Sequence, residues 1–135
     1  MCGILVAENS NDIDYDHFSS ILNSQNHRGP DQSKIIESHN FYLGFNRLSI
    51  IDLDNRSMQP ITFGNILLML NGELYNYKEL KEELISEGIY FKTKGDAEVF
   101  AAAIDSWGPL KAHQKARGMW SLVFIKIREG DLYFS

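Results

Sequence analysis

The order of apolar and polar positions predicts alternating strands and amphipathic helices. The run Cys2-Gly3-Ile4-Leu5-Val6-Ala7 is continuously apolar, as in a strand covered on both faces, and it opens the chain. From Asp14, a side chain suited to capping, Tyr15, Phe18, Ile21 and Leu22 recur at helical spacing until His27-Arg28-Gly29-Pro30 breaks the pattern. Strand-like segments follow at Lys34 to Glu37, Phe41 to Ile51 and Ile66 to Leu70, with a turn signal at Gly64-Asn65, and together they read as an antiparallel meander. Asn76 and Glu79 form a capping-box pattern for a second helix carrying Tyr77, Leu80 and Leu84 and closed by Gly88. A short strand is expected at Ile89 to Phe91. Asp96 then reads as the cap of a third helix whose Val99, Phe100, Ala103, Ile104 and Trp107 face inward as far as Gly108-Pro109. Met119 to Ile127 is a rich apolar strand, Arg128-Glu129-Gly130 a turn, and Asp131 to Ser135 the start of another strand, so the domain is expected to be C-terminally incomplete.

Composition narrows the class. With 135 residues, 44% of them hydrophobic and 23% charged, one domain of 1–135 with a single sizeable core is expected. A single Cys excludes an intrachain disulfide and, with four scattered His, leaves no ligand set for structural zinc. No metal site and a reducing, cytoplasmic setting are therefore expected. Thirteen Lys and Arg against eighteen Asp and Glu give a net charge of −5 without a basic stripe, which argues against a nucleic-acid partner. The apolar runs fall far short of the ~20 residues of a membrane span, and early acidic residues do not suit a secretory leader. Neither a membrane partner nor secretion is expected. Helices interleaved with strands point to an α/β or α+β domain.

Four positions stand out chemically, each with an ordinary alternative. Removal of Met1 would place a thiol and a free α-amino group of pKa ~8 on one residue, Cys2, so that the amine could serve as general base; the alternative is a small hydrophobe opening a strand. In an unbroken strand Arg47 interrupts the period-2 series Phe41, Leu43, Phe45, Arg47, Ser49, Ile51 and wants an anion, a protein acid or a ligand carboxylate; the alternative is a bulge that turns it to solvent. Asn71-Gly72 is either a hairpin turn or a pair of donors, side-chain amide and backbone N–H, for an oxyanion, with Glu73 beside it. Gly95-Asp96 is either a plain helix start or a carboxylate for an ammonium group. Thiol, oxyanion donors, guanidinium and carboxylates together suit an amino acid with a side-chain amide, and hence acyl transfer from glutamine with release of ammonia.

The sequence also resembles the class II glutamine amidotransferases through Met1-Cys2-Gly3-Ile4, His27-Arg28-Gly29-Pro30-Asp31, Arg47-Leu48-Ser49-Ile50-Ile51-Asp52, Gln59-Pro60, Asn71-Gly72-Glu73-Leu74-Tyr75-Asn76, Gly95-Asp96-Ala97-Glu98 and Arg117-Gly118-Met119-Trp120. Their wording is closest to the asparagine-synthetase branch. The resemblance implies an α+β, N-terminal-nucleophile hydrolase fold, an αββα four-layer sandwich truncated at its C-terminal strands. It further implies that Cys2 is the nucleophile, that Asn71 and Gly72 form the oxyanion hole, and that Arg47 holds the glutamine α-carboxylate. Glu73 and Asp96 would hold the α-ammonium, and Leu48, Ser49, Ile50 and Ile51 would line the pocket; His27-Arg28 would serve loop structure or a domain contact. The expected partners are L-glutamine and an ammonia-accepting synthetase domain or subunit, with a homodimer left open. No cofactor is expected for the glutaminase domain; ATP and Mg are implied only for the synthetase domain, absent here. The competing reading is an inert glutamine-binding module, since retained Met1 would tie up the amine of Cys2 as an amide.

Overall fold

The computed structural model describes residues 2–10, 12–48 and 57–135. Strand β1 (Gly3–Glu8) leads to helix α1 (Tyr15–Ser24), a single 3-10 turn (Asn26–Arg28), and strands β2 (Gln32–Ser38) and β3 (Phe41–Arg47). Strands β4 (Ile61–Phe63) and β5 (Ile66–Leu74) follow. Helices α2 (Tyr77–Ser86), α3 (Asp96–Trp107) and α4 (Pro109–Lys115) come next, then β6 (Gly118–Lys126) and β7 (Asp131–Phe134). Among the described residues all strand pairings are antiparallel, in two sheets ordered β1-β3-β2 and β4-β5-β6-β7. The anticipated meander is thus divided: the β2–β3 hairpin belongs to one sheet and β4–β5 to the other.

Each sheet has two apolar faces, which produces four layers. On β3 the period-2 alternation is buried on both sides. Leu43 and Phe45 face Leu67, Met69, Val123 and Ile125 of the second sheet. Tyr42, Gly44 and Asn46 face α1 instead, where Phe18 and Leu22 are essentially sealed from water. A Cβ on Gly44 would come within 2.9 Å of both Phe18 and Leu22, so the missing side chain sets how closely α1 packs. The outer face of the second sheet, with Leu68, Leu70 and Phe124, packs against Leu80, Leu84, Val99, Phe100 and Ile104 of α2 and α3. Ala101, Ala102 and Ala103 are fully buried and keep α3 thin enough to lie between its neighbours. The result is the expected α+β αββα sandwich.

Several local expectations are corrected. Asp14 caps α1 as anticipated, accepting from the His17 N–H at 2.8 Å. Asn76 occupies the cap position of α2 but makes no capping bond; it donates to Lys115 O and accepts from the Arg117 N–H, tying α2 to the start of β6. Gly88, at φ 90°, closes that helix with the Ile89 N–H returning to Leu84 O and its own N–H to Ile85 O, a Schellman closure. Ile89 to Phe91 is not a strand: it has no ladder partner among the described residues, and Ile89 and Phe91 pack onto the core. Gly108-Pro109 ends α3, but Pro109 at once starts α4, because a missing N–H costs nothing at a helix start. Strand β3 stops at Arg47, and the remainder of the predicted Phe41 to Ile51 strand beyond Leu48 lies outside the described residues. None of the described helices is long and apolar enough to cross a membrane.

Candidate active site

Six chain segments converge on a cavity of about 340 Å³ between the ends of the two sheets. This is the small end of the roughly 300–1,000 Å³ typical of ligand sites. Its wall includes Cys2, Arg47, Leu48, Asn71, Gly72, Glu73 and Asp96, so the sequence-selected residues that are described all meet there. Ser49, Ile50 and Ile51 lie outside the described residues.

Cys2 enters from the start of β1 and is half-buried. Its Sγ lies 3.4 Å from the Leu48 N–H, which donates to it, and 3.8 Å from Leu48 O. Its carbonyl accepts from Arg28 Nε at 3.3 Å. The loop bearing Arg28 is pressed onto the end of β3: a Cβ on Gly29 would fall 2.2 Å from Asn46 O, and the Asp31 N–H reaches Arg47 O at 3.1 Å. The His27-Arg28-Gly29-Pro30-Asp31 motif therefore braces both Cys2 and Arg47. The resemblance implied only loop structure or a domain contact for His27-Arg28.

Arg47, 5% exposed, points with Leu43 and Phe45 toward the space between the sheets. Its Nη1 donates to Gln32 Oε1 on the adjacent strand at 2.9 Å, which orients the guanidinium.

Asn71-Gly72 is not a hairpin turn. Both residues lie inside β5, opposite Ser121 and Trp120 of β6. Gly72 has φ 153°, and a Cβ there would come within 2.2 Å of Met119 O and 2.5 Å of Trp120 Cα, so only glycine fits. On the edge of β5 that faces away from β6, the Leu70 N–H is taken by Gln59 Oε1 and the Leu74 N–H by Asp96 Oδ2 at 3.0 Å. Alternation in an antiparallel ladder puts the Gly72 N–H on this same edge, between those two. The neighbouring Asn71 Oδ1 is buried without a hydrogen-bond partner among the described residues. An amide with unspent bonding capacity beside an inward-facing N–H is suited to receive a polar ligand.

Asp96 is the first residue of α3 rather than its cap, which is Gly95. Burial pushes its carboxyl above the ordinary value and the nearby charge of Glu73 adds to the rise, while backbone N–H groups of Leu74, Asp96 and Ala97 oppose it. Glu73, exposed, borders the cavity mouth opposite Met119.

Three cavity residues were given no role by sequence reasoning. Gln59 binds both backbone groups of Leu70, with Nε2 to Leu70 O at 3.2 Å, and so continues the β4–β5 ladder with a side chain. Thr93 and Glu98 form a buried hydrogen-bonded pair at the start of α3. Gln59 and Glu98 sit within quoted motifs, but nothing in their spacing reveals these partners.

A family model described as a glutamine amidotransferase domain matches residues 1–134. Asparagine synthetase (glutamine-hydrolyzing) 1 of Bacillus subtilis is 38% identical over 109 residues, covering 79% of this chain and 17% of that protein. Asparagine synthetase (glutamine-hydrolyzing) 2 of Oryza sativa subsp. japonica is 33% identical over 134 residues, covering 96% of this chain and 22% of that protein. The chain thus spans about a fifth or less of the length of these relatives. A glutamine phosphoribosylpyrophosphate amidotransferase from B. subtilis, solved with ADP and GMP, superposes with a TM-score of 0.70 at 21% identity, covering 93% of this chain and 34% of that one. That likeness is one of fold, the four-layer αββα sandwich. With a family model matched along nearly its whole length, the chain belongs to the glutamine amidotransferase domain family and is similar to glutamine-hydrolysing asparagine synthetases.

Proposed function

We propose that the domain hydrolyses L-glutamine to L-glutamate and ammonia through a thioester on Cys2, and that the ammonia is passed to an ATP-using, asparagine-synthetase-like domain or subunit. The observation that carries this reading is the convergence of Cys2, Arg47, Asn71, Gly72, Glu73 and Asp96 on one cavity of amino-acid size. Glutamine carries a carboxylate, an ammonium and an amide, and these residues offer a complement to each.

In this mechanism Arg47 holds the α-carboxylate, and Asp96 with Glu73 holds the α-ammonium, so that the side-chain amide extends toward Cys2. After removal of Met1, the α-amine of Cys2 accepts the thiol proton as Sγ attacks the amide carbon. The oxygen gains the electron pair of the C=O bond and is held by the Asn71 side-chain amide and the Gly72 N–H. Collapse re-forms the C=O bond and breaks the C–N bond; the ammonium of Cys2 returns its proton to the departing nitrogen, which leaves as ammonia. Water then attacks the thioester with the amine again as base, releasing glutamate and the thiol. Leu48 completes this part of the cavity wall. The glutaminase step needs no cofactor in this scheme; ATP and Mg belong to the synthetase step.

The raised pKa of Asp96 gives a test. Ionised Asp96 attracts the substrate ammonium, and protonated Asp96 does not. Because burial lifts its pKa, protonation begins at a higher pH than for an ordinary carboxyl. Glutamine binding should therefore weaken on acidification at a higher pH than protonation of an unperturbed Asp (~3.9) would require. Calorimetry with the non-turning Cys2→Ala variant isolates this from titration of the nucleophile. Adding Asp96→Asn should give weak binding that no longer varies with pH. Unchanged, pH-independent affinity in both variants would remove Asp96 from the substrate site.

A further inference from the structure

We propose that Glu98 is a positioning residue that acts through Thr93 to aim Asp96 at the substrate ammonium, an inference that rests on the assignment of Asp96 above. Glu98 is 3% exposed, and its carboxylate is spent on the connection preceding α3. Oε1 accepts from the Lys92 N–H at 2.9 Å; Oε2 accepts from the Thr93 N–H and from Thr93 Oγ1, both at 2.7 Å. Thr93 Oγ1 in turn accepts from the Gly95 N–H at 3.3 Å, and Gly95 is the residue on which α3 begins.

The arrangement is a displaced capping box. An acid three residues into a helix ordinarily reaches back to the cap residue, whose own side chain reaches forward. Here the cap is glycine and offers no side chain. Glu98 instead reaches past it to Thr93, and the Thr93 hydroxyl supplies the missing link to Gly95. From the other side, Lys81 of α2 donates to Thr93 O at 3.0 Å and lies 4.8 Å above the Phe91 ring. The peptide leading into Asp96 is thus fixed from α2 and α3 together, while Asp96 itself is fixed by the Leu74 N–H. With three donors on its two oxygens, Glu98 is committed to the loop although it lines the cavity wall. Its effect on substrate passes through the placement of Asp96.

A role confined to stability would affect every substrate alike, whereas positioning of Asp96 affects only a substrate with an α-ammonium. The processed protein should be assayed with L-glutamine and with glutaramate, which is glutamine lacking its α-amino group. Thr93→Val removes both hydroxyl bonds and Thr93→Ser keeps them; Glu98→Gln keeps the shape but loses one acceptor. Thr93→Val and Glu98→Gln should each lower kcat/KM for glutamine about tenfold, chiefly through KM, as expected for one misplaced charge-assisted contact. For glutaramate the change should stay within about twofold, and Thr93→Ser should behave as the parent does. Equal losses on both substrates, a fall in kcat at constant KM, or no change in either variant would overturn the proposal. Should Thr93→Val fail to fold, the nearly isosteric Glu98→Gln decides alone. Asp96→Asn separates the two levels: if it leaves the glutamine KM unchanged, the ammonium site itself is misassigned; if it raises KM and the Thr93 and Glu98 variants do not, only the positioning role is lost.

Discussion

Replacing Cys2 by Ala should reduce ammonia release from glutamine by on the order of 10⁶-fold, to the background rate, while leaving the fold intact. The chemical reason is that no other group in the scheme can form the acyl intermediate. The four His do not substitute, since none of them lines the cavity that holds Cys2. The fold should tolerate the change because Cys2 is only half-buried at the edge of the inter-sheet core and its sulfur's hydrogen bonds with Leu48 are long and weak. Cys2→Ser should retain glutamine binding yet turn over far more slowly, because a hydroxyl is a much poorer nucleophile beside an amine of pKa ~8. Ammonia release by Cys2→Ala at the parent rate, with circular dichroism unchanged, would end the thioester proposal.

Asn71→Ala is expected to cost about 2.7–4 kcal/mol of transition-state stabilisation, or ~10²–10³ in kcat, with much less effect on KM. Asn71 lies inside β5, and the strand is held by its backbone ladder with β6, so removing the side chain does not remove a structural tie. Its Oδ1 is already without a partner among the described residues, and truncation there relieves a buried polar atom rather than orphaning one. Activity should therefore fall while the melting temperature holds or rises. A variant with parent-like kcat would show that the Gly72 N–H stabilises the oxyanion without help from this amide.

Much of the fold was legible because one-dimensional periodicity reports directly on burial. Phe18 and Leu22 on α1, the Leu43–Phe45 alternation on β3 and the apolar run from Ile66 to Leu70 all occupy the faces their spacing implies. The partition of strands between sheets was not legible, because a hairpin pattern does not say which neighbour its outer edge finds. Capping was also misread where a polar side chain had a distant partner. Asn76 looks like a helix cap, yet Lys115 O and the Arg117 N–H, brought close by β6, compete successfully for its amide. Asp96 likewise serves Leu74 instead of its own helix alone.

The site was legible in its residue types and not in its supports. Arg47 was conspicuous because a guanidinium on an apolar face requires explanation, and Asn71-Gly72 because the dipeptide has two sharply different uses. The strand placement of Asn71-Gly72 excludes the turn, since the Gly72 side of β5 runs too close to Met119 and Trp120 for any side chain. Arg28, Gln59, Thr93 and Glu98 were invisible as supports: each acts through a backbone group that tertiary folding alone brings near, namely the Cys2 carbonyl, Leu70, Gly95 and the 92–93 peptides.

The most direct measurement is covalent trapping. A glutamine-shaped electrophile, carrying the α-carboxylate and α-ammonium with a diazoketone in place of the amide, should label the processed protein once per chain. Peptide mass analysis should locate the adduct on the Cys2 sulfur, and excess L-glutamate should slow the reaction. Such labelling requires the exposed thiol, the Arg47 and Asp96 anchors and the cavity geometry at the same time. An unlabelled Cys2 in folded protein whose Met1 has been removed, or labelling that glutamate does not slow, would contradict the account.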